Sequence, residues 1–161
     1  MFPGRHPVAL VVTDLAWPHV AGVPFWVASG ATIISRDMSR TFLESVIARR
    51  WHMKFRPVRE SLVRPGIGLY AIDGVGSEGA LMVYLPNDRA LWASDYVQTL
   101  EAPALYTTEV YAAACRFALA PTRVVAEHQP VADWSTLVEM VRRQPIADYP
   151  AACARERARR M

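Results

Sequence analysis

The sequence predicts an α/β domain in which helices are layered on sheet. Short β-branched runs alternate with stretches of helical spacing along the chain. Two of the apolar runs are separated by a four-residue turn, the mark of a hairpin. Apolar residues make up 52% and charged residues 20%, which excludes a disordered chain. The 161 residues suit one domain, assigned to residues 1–144, followed by a basic tail at 145–161 that carries Arg155, Arg157, Arg159 and Arg160.

Val8 to Val12 is a buried strand that ends at Thr13-Asp14. His19 to Ser29 is small and apolar, and Gly30 stops it as a short helix. Ala31 to Ser35 is a second strand. From Asp37 to Trp51 the spacing predicts a helix with Met38, Phe42, Val46, Ile47 and Trp51 on its buried face, capped by Ser35 or Asp37. Lys54 to Pro65 is arginine-rich and is expected to be irregular. Gly68 to Ile72, Ala80 to Leu85 and Ala90 to Ala93 are strands, the last two joined through Pro86-Asn87-Asp88-Arg89. A helix over Leu105 to Leu119, a strand over Arg123 to Ala126 and a helix over Asp133 to Arg143, capped by Asp133 or Ser135, complete the domain. Pro145 and Pro150 break the helical pattern beyond Arg143.

Composition narrows the function. The formal charge is +3, almost all of it arginine, and Lys54 is the only lysine. Without an aromatic-interleaved basic stripe, the tail reads as a solvated end, and nucleic acid is not the expected partner. No apolar run is long enough to span a bilayer, and the first residues lack the pattern of a signal peptide. Cys115 and Cys153 are far apart and outside any metal-knuckle spacing, so reduced thiols in the cytoplasm are expected, with Cys115 packed in the core. Trp17, Trp26, Trp51 and Trp92 are expected in the core as well.

Three loops follow strand ends, where α/β proteins place their chemistry. They are Thr13-Asp14-Leu15-Ala16-Trp17-Pro18-His19, then Leu91-Trp92-Ala93-Ser94-Asp95-Tyr96, then Val124-Val125-Ala126-Glu127-His128-Gln129-Pro130. With the hairpin Val83-Tyr84-Leu85-Pro86 between them, their order from Val8 to about Arg143 resembles the metallo-β-lactamase superfamily. In that superfamily a strand ends in Thr-His-x-His-x-Asp-His, Val-Tyr-Leu-Pro leads to Leu-x-x-Gly-Asp, and a last strand ends in a metal-binding His. The finer resemblance is to a metallo-hydrolase-like subgroup with Asp-x-Ala-Trp-Pro-His at the motif, here Asp14 to His19.

The resemblance implies the second half of an αββα sandwich with a depleted metal site. Asp14 and Ala16 replace the motif's first two His, Pro18 replaces its Asp, and Gly76 falls where a mid-chain His belongs. His19, Asp95 and His128 survive. Two imidazoles and a carboxylate suffice for one zinc or iron ion, with Asp14 as an additional oxygen ligand, and hydrogen-bonded residues that hold no ion remain the alternative. The implied activity is at most single-metal hydrolysis of a small ester, thioester, amide or lactone; the alternative is a non-catalytic module that binds a small molecule or a partner chain. A half-sandwich leaves a sheet face open, so a homo-oligomer or an N-terminal half-domain partner is expected to cover it. Two weaker features are Gly74 to Gly79, a turn and not a phosphate loop, and Glu127-His128, an acid–base pair with Asp73 only if folding joins them.

Overall fold

The computed structural model describes residues 9–17, 19–47, 52–74, 79–100, 105–143 and 153. Four layers run helix, sheet, sheet, helix. The first sheet holds β1 (Ala9–Val11), β2 (Thr32–Arg36) and β3 (Lys54–Val58), all parallel, in the order β1-β2-β3. Parallel neighbours need crossovers, and α1 (Val23–Ala28) and α2 (Arg40–Ile47) supply them. The second sheet has the order β4-β5-β6-β7-β8-β9, from β4 (Ser61–Arg64), β5 (Ile67–Ala71), β6 (Leu81–Leu85), β7 (Ala90–Trp92), β8 (Arg123–Val125) and β9 (Ala132–Asp133). Its strands are antiparallel except at β7 and β8, which α3 (Leu105–Arg116) connects; α4 (Trp134–Arg142) follows β9.

Alternation of side chains along each strand assigns the layers. Ile33 and Leu10 of the first sheet face Val23, Val27, Leu43 and Ile47 of α1 and α2. Their neighbours Ile34 and Val11 turn the other way and meet Leu69, Leu81 and Val83 of the second sheet. Met82, next to Leu81, points away again, into a core with Leu91, Val124, Val110 of α3 and Leu137 of α4. The sheet face expected to stand open is thus covered by the three-stranded sheet. Leu81 and Met82 are both fully buried on opposite faces, each stabilising the fold by roughly 1.5–3 kcal/mol.

Several local expectations are corrected. Lys54 to Pro65 is two strands, not an irregular stretch; Pro57 is accommodated because β3 pairs only with β2 and its other edge needs no N–H donor. The buried stripe of α2 is Leu43 and Ile47, with Val46 partly buried, whereas Met38 and Phe42 are exposed. A 3-10 turn at Asp37–Ser39 precedes α2 and rotates its register; the Asp37 side chain accepts from the Met38 N–H, and Ser35 instead donates to the Val12 carbonyl. Asp133 sits at the N-cap of α4 without a side-chain cap, and Ser135 lies within the helix. His19 precedes the first helix, which starts at Val23 with Pro24 in its first turn and stops at Gly30, whose φ is +84°.

Trp17 is 71% exposed, and Trp26 and Trp92 are only partly buried. Trp51, Pro18, residues 75–78 and all of the tail except Cys153 lie outside the described residues. The cysteines are not reduced thiols. Cys115 of α3 and Cys153 form a disulfide, with Cα atoms 5.2 Å apart, that ties part of the expected tail to the helix. A separation of 38 residues left no spacing signal for this pairing.

Candidate functional site

The three loops chosen from the sequence meet at one end of the sandwich. The backbone stitches the first of them to the second sheet, since the Leu81 N–H donates to the Thr13 carbonyl over 2.7 Å and so fixes the loop after β1 beside β6. The loop after β7 lies next in the sheet, and the loop after β8 beyond it; the Glu127 N–H donates to the Ser94 carbonyl at 3.3 Å.

Asp14 is the hub. It is 5% exposed, and both carboxylate oxygens are occupied. Oδ1 lies 2.7 Å from His19 Nδ1 and accepts the Ala16 N–H at 3.0 Å, which folds the loop back on itself as an Asx turn. Oδ2 accepts from Ser94 Oγ at 2.9 Å. Ser94 is fully buried at φ +48°, a left-handed conformation that disfavours any side chain. Its hydroxyl receives the Thr13 hydroxyl at 3.0 Å and stands 3.2 Å from Glu127 Oε1, so its single proton serves two carboxylates. Ser94 occupies the glycine position of the Leu-x-x-Gly-Asp pattern. Backbone strain of this kind concentrates at functional sites.

His19 spans two acids. Nδ1 faces Asp14, and Nε2 lies 3.5 Å from Glu127 Oε2, with the side chain 23% exposed. The hydrogen bond to Asp14 raises the imidazole above its ordinary pKa; burial opposes this, and the charges of Asp14, Glu127 and Asp95 add to the rise. His128 and Asp95 form a second, more open pair, with Nε2 2.8 Å from Oδ1 and side chains 58% and 25% exposed. The four residues named from the sequence therefore stand in two pairs, Asp14 with His19 and Asp95 with His128. Among the described residues no group of three or more His, Cys, Asp or Glu side chains is placed to hold a metal ion.

Sequence reasoning missed Ser94 and Thr13 as members of the network, and gave Glu127 the wrong partner. Asp73 does not join Glu127 and His128: Arg36 and Arg116 hold its two oxygens at 2.8 and 2.6 Å. Only the positive φ at a pattern glycine could have singled out Ser94, and φ is not written in the residue. Beside the network a cavity of about 350 Å³ opens between the first two loops and α3, lined by Asp14, Asp95, Tyr96 and Tyr106 among others. Burial pushes the Tyr96 phenol up to about 12, helped by the charges of Asp14 and Glu109.

The fold has counterparts among solved structures. The chain superposes on the DIM-1 metallo-β-lactamase exposed to ceftazidime with a TM-score of 0.65 at 16% identity, over 84% of this chain and 66% of that one. For the metallo-β-lactamase from Pontibacter korlensis the values are 0.63, 16%, 84% and 69%. For the metal-soaked flavodiiron core of Flv1 from Synechocystis they are 0.64, 15%, 92% and 43%. The chain thus has the metallo-β-lactamase fold and spans 66% of the length of the DIM-1 chain. No protein-family model and no curated protein sequence matches it.

On the resemblance drawn from the sequence, the residues present do not supply the ligands of the fold's two-metal centre. Asp14, which the resemblance sets at the position of the motif's first His, has oxygens already in contact with His19, the Ala16 N–H and the Ser94 hydroxyl. Ala16 offers no donor side chain. Gly76 and Pro18, at two further ligand positions, offer none either, and both lie outside the described residues.

Proposed function

We propose that this chain is a metal-depleted relative of the metallo-hydrolases that acts by binding a small molecule at the old catalytic end of the sandwich. One observation carries the proposal: both ring nitrogens of His19 face carboxylates of the chain itself, at 2.7 and 3.5 Å. In its protonated form an imidazole held in this way directs both N–H groups at acids and presents no lone pair to a metal, and the Asp14 hydrogen bond favours that form. Hydrogen bonds from Ser94 and Ala16 satisfy the rest of the Asp14 carboxylate.

The test is elemental analysis of protein purified without a histidine tag, repeated on His19→Ala and His128→Ala. Zinc and iron are expected well below one ion per chain in all three. About one ion per parent chain, lost in both variants, would overturn the proposal.

A second reading keeps His19, Asp95 and His128, with Asp14, as ligands of one zinc or iron ion and the chain as a hydrolase of small esters, thioesters, amides or lactones. It is favoured by Asp95, which pairs with His128 and whose charge also reaches His19. The same analysis separates the two. Association with a second copy, or with a segment that adds strands, is supported by β1, whose outer edge has no strand partner among the described residues.

A further inference from the structure

The cavity beside the Asp14 network differs in character from the network itself. Its walls come from the loop after β1, from the 3-10 turn Ser94–Tyr96 and from the start of α3. Its volume of about 350 Å³ suits a small ligand. Asp14 and Asp95 supply carboxylates, and no lysine or arginine lines it among the described residues. Tyr96 and Tyr106 form an edge-to-face pair with centroids 5.8 Å apart, so an aromatic face adjoins the acids. Leu15 and Gln98 complete the lining with one apolar and one neutral polar side chain.

A buried acid stands behind this wall. Glu109 of α3 is 3% exposed, and its Oε2 has no hydrogen-bond partner. Its charge reaches the Tyr96 hydroxyl, as does that of Asp14, which places both acids around one tyrosine. The side chain also reaches Gly74 so closely that a Cβ there would collide with the carboxylate. No ion pair to Glu109 forms among the described residues. A cation held beside Tyr96 would be attracted by Glu109 as well as by Asp14, since the charges of both bear on that tyrosine.

From the acids, the paired tyrosines and the absence of lysine or arginine among the described lining residues, we infer that this cavity binds a small organic cation of the alkylammonium class. The inference rests on the proposed ligand-binding function and names its ligand. Asp95, whose side chain is 25% exposed, meets the charged head, and Tyr106, 38% exposed at the rim, offers its ring to the same charge. An anionic ligand would face two carboxylates and, among the described lining residues, no lysine or arginine, the imidazoles of His19 and His128 being engaged by those same acids outside the lining. A hydrated hard cation would gain nothing from the tyrosine rings that it does not gain better from water.

The experiment is a titration monitored by amide chemical shifts, comparing n-butylammonium with 1-butanol at matched ionic strength. Butylammonium is expected to bind at least about tenfold tighter, with shifts centred on the loops holding Asp14, Asp95 and Tyr106. Tyr106→Leu and Asp95→Asn should each weaken it several-fold, while Tyr106→Phe, which keeps the π face, binds like the parent. Circular dichroism confirms that each variant is folded, and the parent comparison stands by itself if one is not. Equal affinity for the alcohol, no saturable binding of butylammonium, or folded Tyr106→Leu and Asp95→Asn proteins that bind as tightly as the parent would overturn the assignment. Stoichiometric metal in the purified chain would sink the binding function instead. Metal-free protein indifferent to butylammonium sinks only the ligand class.

Discussion

The two acid–histidine pairs at the end of the sandwich use the same chemistry and do different physical work. Asp14 and His19 are enclosed: the acid is 5% exposed and every lone pair used has a donor on the chain. Asp95 and His128 are bridged at 2.8 Å, but the imidazole is 58% exposed. In the first pair, removing one partner strands several buried groups together; in the second, water replaces what is lost. Burial, more than the residue types, decides which pair holds the loops in place.

The largest effect expected from this contrast is that of Asp14→Ala. It leaves the Ala16 N–H and His19 Nδ1 without an acceptor and the Ser94 hydroxyl with Glu127 alone, and should cost about 3 kcal/mol in urea unfolding. His128→Ala in the same assay should cost less than about 1 kcal/mol. Equal losses would break the comparison.

Ser94 sharpens it further, because its side chain and its backbone pull in opposite directions. Ser94→Ala removes the hydroxyl and keeps a Cβ at φ +48°, so a loss of roughly 1–3 kcal/mol is expected. Ser94→Gly removes the same hydroxyl but relieves the left-handed backbone, and should be the more stable of the two by about 1 kcal/mol. If alanine matches glycine, the strain assigned to this position is absent.

A third acid, Asp73, lies between these regimes and is read by pH. Burial acts to raise its pKa, but hydrogen bonds from Arg36 and Arg116 outweigh it and hold the carboxyl below the ordinary 3.8. The sign comes from linkage: a depressed carboxylate contributes stability that is present above the unfolded value and is lost as pH falls through the folded one. Acid unfolding of the parent should therefore steepen below about pH 4, and Asp73→Asn should flatten that limb, with its destabilisation largest at neutral pH and fading as pH falls through the folded value. An unchanged acid limb would show that the arginines do not hold Asp73 in solution.

Much of the fold was written in local patterns. The apolar runs at Val8 to Val12 and Ala31 to Ser35 became β1 and β2, the Pro86 to Arg89 turn joined β6 and β7, and the order of loops pointed to a metallo-β-lactamase fold. Lys54 to Pro65 was misjudged because arginines and Pro57 obscure an edge strand, whose pairing comes from β2 and not from its own residues. Of the face expected for α2, Ile47 and Val46 pack inward, whereas Met38 falls in the 3-10 turn ahead of the helix and Leu43 takes the buried place expected of Phe42.

By itself the sequence determined the alternation of strands and helices, the charge, and which loops would carry the polar residues, because these depend on neighbours a few positions away. Only the tertiary structure decided that His19 lies between Asp14 and Glu127, that His128 meets Asp95, that Arg36 and Arg116 capture Asp73, and that Cys115 bonds Cys153. Each of these partners is chosen by the distance between loop ends after the sheets have packed. Residues 81 positions apart, such as Thr13 and Ser94, come within 3.0 Å only because β6 and β7 carry one loop to the other.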